Sequence, residues 1–132
     1  MTVTRRGSRW RAERAQSSVE VALLLPVVVL LLLAALQVGL LARDVVLVTH
    51  AAREAARAAA VDADPAAASR AAAGSSGLSD ERLGVRVTGR GTAGSRVTVT
   101  VTYRAPTHVP IVGSLVGDRT LTSTATMRVE TG

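Results

Sequence analysis

The chain has no cysteine, no phenylalanine and no lysine, and its 132 residues include one tryptophan and one tyrosine. Without cysteine there can be no disulfide, no thiolate metal site and no cysteine nucleophile, and this holds on either side of a membrane. A formal net charge of +6 raises the question of nucleic acid. So few aromatic side chains offer no platform on which bases could stack. The charge is also badly placed for that role, because five of the sixteen basic residues (Arg5, Arg6, Arg9, Arg11 and Arg14) stand in the first fourteen positions. The rest are scattered, and uniform use of arginine in a chain rich in Ala, Val and Gly reads as coding bias. No nucleic-acid partner is expected. Catalytic chemistry is equally thin. His50 and His108 lie in no metal-ligand spacing. The sequence shows neither a Ser-His-acid set nor a glycine-rich phosphate loop. Asp62, Asp64, Asp80 and Glu81 are oxygen ligands of the kind calcium takes, but helix caps and a solvated loop account for them. The chain is expected to be no enzyme and to hold no cofactor or metal.

What is present in quantity is apolar sequence. Val21 to Ala42 is broken only by Gln37 and by the weak helix former Gly39. As a helix, about 22 residues at ~1.5 Å each reach roughly 33 Å, enough to cross a hydrocarbon core of ~30 Å. The run exceeds the hydrophobic part of a cleavable secretory signal, and Leu33-Ala34-Ala35 lacks the small residue such a site needs at its first position. Nor could the remaining residues bury so apolar a helix in a soluble core. A retained single-pass anchor is the expectation. The arginine-rich leader outweighs Arg43, Arg53 and Arg57 on the far flank, which predicts a cytoplasmic N-terminus and an extracytoplasmic body.

Beyond the anchor the helical period continues. A 100° wheel over Arg43 to Ala60 gathers Val45, Val48, Ala52, Ala55, Ala56 and Ala59 on one side. Arg43, His50, Arg53, Glu54 and Arg57 fall on the other, with His50–Glu54 and Glu54–Arg57 at pairing distance along the helix. One helix is therefore expected to run unbroken to about Val61. Asp64-Pro65 has the form of an N-cap and first helical residue, opening a short helix that stops near Gly74. Past Ser75–Ser79 the period falls to two, giving a short strand over Gly84–Thr88 and a stronger one in "RVTVTVTYR". In that strand Val97, Val99, Val101 and Tyr103 face one way; "GTAG" (Gly91–Gly94) forms the hairpin loop before it. Pro106 and Pro110 bound an interruption in which Ile111, Val112, Leu115 and Val116 could close over the sheet edge. A last strand spans Arg119–Val129. The fold class is α+β: a long N-terminal transmembrane helix, continued outside the membrane and packed on a small antiparallel sheet. The organisation reads as leader 1–15, membrane helix 16–42, helix extension 43–61 and α+β domain 62–132.

One carboxylate, Glu20, stands at the lip of the apolar run, and Pro26 follows it inside the run as a helix interruption. A membrane anchor gains nothing from either, since an acidic group near the bilayer costs free energy. The basic leader, "AQSSVEVALLLP" and, after the span, "AAREAARAAA" together resemble the TadE-like family, pseudopilins of tight-adherence (Flp-type) pilus systems. The resemblance covers about Ala15 to Ala60. It implies a pilin-like fold, a leader removed by a prepilin peptidase, and a role as a minor structural component in assembling a pilus on the outer face of the bacterial cytoplasmic membrane. It places the scissile bond between Ala15 and Gln16, with Ala15 where the pilin-type site carries Gly. Glu20 matches the pilin glutamate, Pro26 the family's proline, and Ala51–Arg57 the "AAREAAR" segment. The implied partners are other pilins or pseudopilins, the assembly machinery and the peptidase.

Pilin physics gives Glu20 a task. An amino terminus and a carboxylate are each costly alone in a bilayer, and pairing them between neighbouring helices removes the cost and sets axial register. Pro26 leaves a backbone carbonyl unpaired and can kink the helix, permitting bending or extraction, with a tolerated membrane proline as the alternative. Arg53 and Arg57 are candidate partner contacts, with a solvated helix face as the alternative. Two other readings stay open: an anchored protein whose outer domain binds a ligand and never enters a filament, and a small anchored hydrolase, disfavoured by the missing catalytic set.

Overall fold

The computed structural model describes residues 7–107 and 117–130, with side chains from Val19 onward. The chain forms two compact units, residues 1–36 and 37–132. The interruption expected around Pro110, and with it His108, lies outside the described residues.

Helix α1 occupies Gly7–Val61, 55 residues without a break, and Pro26 lies inside it. The helix thus continues through Pro26, the outcome of a proline tolerated within the run. Proline removes one N–H, here the donor that would serve the Ala22 carbonyl, while the leucines and valines around it have no competing conformation to prefer. The helix ends at Val61, where the Ala-rich period gives way to Asp62-Ala63-Asp64.

In the first unit this helix is the described structure. The second unit is a helix-and-sheet body. Its three strands are β1 (Leu83–Thr88), β2 (Arg96–Ala105) and β3 (Arg119–Arg128), in the order β1-β2-β3 with antiparallel neighbours. β1 pairs with β2 from Leu83–Tyr103 to Thr88–Thr98, and β2 with β3 from Arg96–Arg128 to Ala105–Arg119. The alternation decides which face is inside. Val97, Val99 and Val101 are fully buried and Tyr103 nearly so, while the threonines between them face out. β3 follows suit with Leu121, Ser123, Ala125 and Met127 half-buried.

The other half of the core comes from α1 and a second helix, α2 (Pro65–Ser76). Val48, Ala51, Ala52, Ala55, Ala56, Ala59 and Ala60 form one buried cluster with the inner valines of β2 and with Ala68 and Ala72. Alanine presents a small side chain to the sheet and keeps helix propensity high. The wheel departs from the structure at three residues: Val45, on its apolar side, is 47% exposed, whereas Ala51 and Ala60, absent from that side, are buried. Nearer the start of the body the covered residues are Leu41, Asp44, Leu47 and Val48, so the shielded arc rotates along the helix axis. A single wheel averages over that rotation.

α2 begins as its sequence requires. Asp64 caps it by accepting from the Ala66 N–H at 3.0 Å, with Pro65 in the first turn, where its missing N–H costs nothing. It passes Gly74 and ends two residues later. Ser76 Oγ donates to the Ala72 carbonyl at 2.8 Å, and Gly77, at φ +63°, supplies the left-handed cap. A short 3₁₀ turn, Asp80–Arg82, leads into β1.

The end of α1 is closed from a distance. No basic residue lies in its last turn. Instead Arg90, from the β1–β2 hairpin, donates through Nε to the Ala59 carbonyl at 2.8 Å, and the Glu130 N–H donates to the Ala60 carbonyl at 3.0 Å. Carbonyls at a helix C-terminus have no partner of their own and carry the negative end of the dipole, so a guanidinium is well placed there.

Candidate functional site

From Val19 to Leu32 every side chain of α1 is exposed in the isolated chain, including Leu23 at 71% and Leu25 at 61%. The segment Val19–Val61 contains a window of mean hydropathy 2.9, long and apolar enough to cross a membrane. So large an apolar surface in water would have to find a cover. Leucine and valine at this density have two such covers, lipid tails and other apolar helices.

Glu20 is exposed at the head of this surface, the single ionisable side chain between Val19 and Ala42. Ala15, Gln16, Glu20 and Pro26 all lie on α1, so the sequence-predicted processing and registration residues share one helix, with Gln16 one turn before Glu20. Arg53 and Arg57 also lie on α1, in the second unit, and both are exposed. Neither the His50–Glu54 nor the Glu54–Arg57 pair closes: the ion pairs among the described residues are Arg43–Asp44 at 3.8 Å and Arg70–Asp64 at 3.1 Å. Glu54 is half-buried, and Arg53 and Arg57 are exposed and in no ion pair among the described residues.

The acidic residues noted in the sequence act locally. Asp62 accepts from the Asp64 N–H at 2.9 Å, and Asp64 caps α2 and holds Arg70. Among the described residues, no three His, Asp or Glu side chains gather as a metal site would need. The body has a cavity of about 120 Å³ lined by residues that include Gln37, Leu41, Asp44, Leu78, Tyr103 and Arg119. Gln37 Oε1 is buried there without a hydrogen-bond partner among the described residues.

Two features were missed in the sequence. Arg90 as the cap of α1 has no local signal, being 31 positions from its acceptor. The charge on the outer sheet face is the second. Arg96 and Arg104 at even positions of β2 were a legible sign that this face carries charge as well as threonine.

A long N-terminal helix with one candidate membrane span, continuing into a small α+β body built on a three-stranded antiparallel sheet, defines the class. Residues 15–57, about a third of the chain, match the family described as TadE-like protein. The matched segment begins at Ala15 and ends at Arg57, and so takes in Gln16, Glu20, Pro26 and Arg53. No curated protein and no solved structure matches the chain.

Proposed function

We propose that the chain is a minor pseudopilin of a Tad-type pilus system, a structural and non-enzymatic assembly component. The observation that carries this reading is the coincidence, inside the TadE-like segment, of an apolar helical stretch exposed from Val19 to Leu32 with one carboxylate at its head. In this reading residues 1–15 are a cytoplasmic leader, 16–42 the membrane helix, 43–61 its extension and 62–132 the extracytoplasmic domain. A prepilin peptidase cuts between Ala15 and Gln16. The amino group released at Gln16 then pairs with Glu20 of a neighbouring subunit when the helix moves from lipid into a helix bundle. Lipid and bundle core are alike apolar, so the move costs little in hydrophobic terms. The charge pair, which neither environment could accept as separate ions, sets which helices align. Pro26 supplies local compliance in the same helix, and Arg53 and Arg57 offer charged forks to a partner pilin or the machinery.

The experiment has two arms. Coexpression with a prepilin peptidase, followed by intact-mass measurement, should show loss of Met1 to Ala15. A full-length product, with the chain still in the membrane, would instead support an anchored binding protein outside any filament. Glu20→Gln should leave insertion and processing intact and abolish piliation; unchanged piliation would reject the registration role.

A further inference from the structure

The strand register collects four arginines on the outer face of the sheet. Arg86, opposite Thr100, Arg96, opposite Arg128, and Arg104, opposite Thr120, all project away from the buried valines. All four are exposed. From Arg96 to Arg104 the face runs eight residues, roughly 26 Å at ~3.3 Å per residue. Between the charges lie hydroxyls in cross-strand rows, Thr98–Thr126, Thr100–Thr124 and Thr102–Thr122. The first two rows are joined by hydroxyl contacts of 3.0 and 3.3 Å. Glu81 borders one end of this face, in a surface hollow with Gly84, Thr102 and Arg104.

This arrangement works against the sheet's own stability. Arg96 and Arg128 are directly opposed like charges, a pairing that disfavours the strands that make it. Arg128 is partly relieved by donating to the Gly94 carbonyl at 3.2 Å; Arg86, Arg96 and Arg104 meet no carboxylate among the described residues. An anion laid along the face would be complementary to it in charge. The rest of the surface narrows the kind of anion. No aromatic side chain stands on the face for a base to stack on. No large apolar side chain stands there to enter a bilayer. Threonine hydroxyls can both donate and accept, as sugar hydroxyls require, and a guanidinium fork matches a carboxylate in two parallel hydrogen bonds.

We propose that the outer face of the β1-β2-β3 sheet binds an acidic polysaccharide, its carboxylates held by Arg86, Arg96 and Arg104 and its hydroxyls by the threonine rows. The site is separate from the helix segment that carries the pilus reading, and either can fail without the other.

The test uses the full chain in nanodiscs of phosphatidylcholine, with fluorescein-labelled polygalacturonate as the probe and anisotropy as the readout. Saturable binding that weakens with added salt is expected, with no binding of neutral dextran. Arg86→Ser/Arg104→Ser should weaken it about tenfold or more. Arg43→Ser/Arg119→Ser makes the same change in formal charge away from this face and should leave binding unchanged. Arginine footprinting of the unmodified protein with a phenylglyoxal reagent should show Arg86 and Arg104 shielded by the polymer, which keeps the test decisive if the double variant misfolds. Equal losses in the two double variants, unshielded arginines, or no saturable binding would overturn the proposal. So would tighter binding, dependent on Arg86 and Arg104, to duplex DNA, to phosphatidylglycerol nanodiscs or to a second copy of the chain.

Discussion

Replacing Ala56 with leucine tests whether the alanine face of α1 is a fitted surface or merely an apolar one. Ala56 has no exposure, and its neighbours on the helix, Ala52, Ala55 and Ala59, are buried with it in the cluster that holds Val97, Val99 and Val101. Leucine brings three further carbons. Were there room, their burial would stabilise the body by about 0.8 kcal/mol per methylene. There is none beside a fully buried alanine, so the side chain must push the helix from the sheet or leave its rotamer, at a cost of about 1–3 kcal/mol. Arg57→Leu adds an apolar side chain one position round the same helix, where the surface is exposed, and should stay within about 0.5 kcal/mol. Amide hydrogen exchange of β2, followed by mass spectrometry on the full chain in detergent micelles, reads the difference. Ala56→Leu should speed exchange of Val97–Tyr103 by roughly 5- to 150-fold, the equivalent of that cost. Equal exchange in the two variants, or slower exchange in Ala56→Leu, would refute the fitted-surface argument.

Other perturbations have similarly direct readouts. Arg90→Leu removes a charge-assisted bond to the Ala59 carbonyl and should cost roughly 1.5–3 kcal/mol in the urea unfolding of the body, with Arg90→Lys losing less. Asp64→Ala should cost about 1 kcal/mol through loss of the α2 cap, seen as faster exchange at Ala66 and Ala67; Asp64→Asn, which keeps an accepting oxygen, should retain most of it.

The body's elements were legible where two signals agreed. Strand β2 alternates for its whole length, and burial follows that alternation residue by residue from Val97 to Tyr103. Asp64-Pro65 carried both cap chemistry and a helix-compatible φ, and α2 starts there. Where one signal stood alone, context overrode it. Gly74 looked like a terminator, but Ser76 and Gly77 close the helix better, by a hydroxyl bond and a left-handed backbone. Pro26 looked like a break, yet an apolar helix offers its backbone no alternative partner. Along Arg43–Ala60 almost every small residue is alanine, so composition says little about which arc is covered, and the three-dimensional body decides it. The candidate site divides in the same way. Glu20 stood out because its neighbours are all apolar, whereas the arginines of the outer face converge only through strand register.

The distant closure of α1 has a consequence for the order of events during synthesis. Residues that bond to Ala59 and Ala60 emerge from the ribosome well after them, Arg90 first and Glu130 much later. Until then the Ala59 and Ala60 carbonyls lack the partners that close them in the folded body. Closure of α1 is therefore complete only once Glu130 has followed Ala60, several seconds later at the ~5–20 residues per second of synthesis.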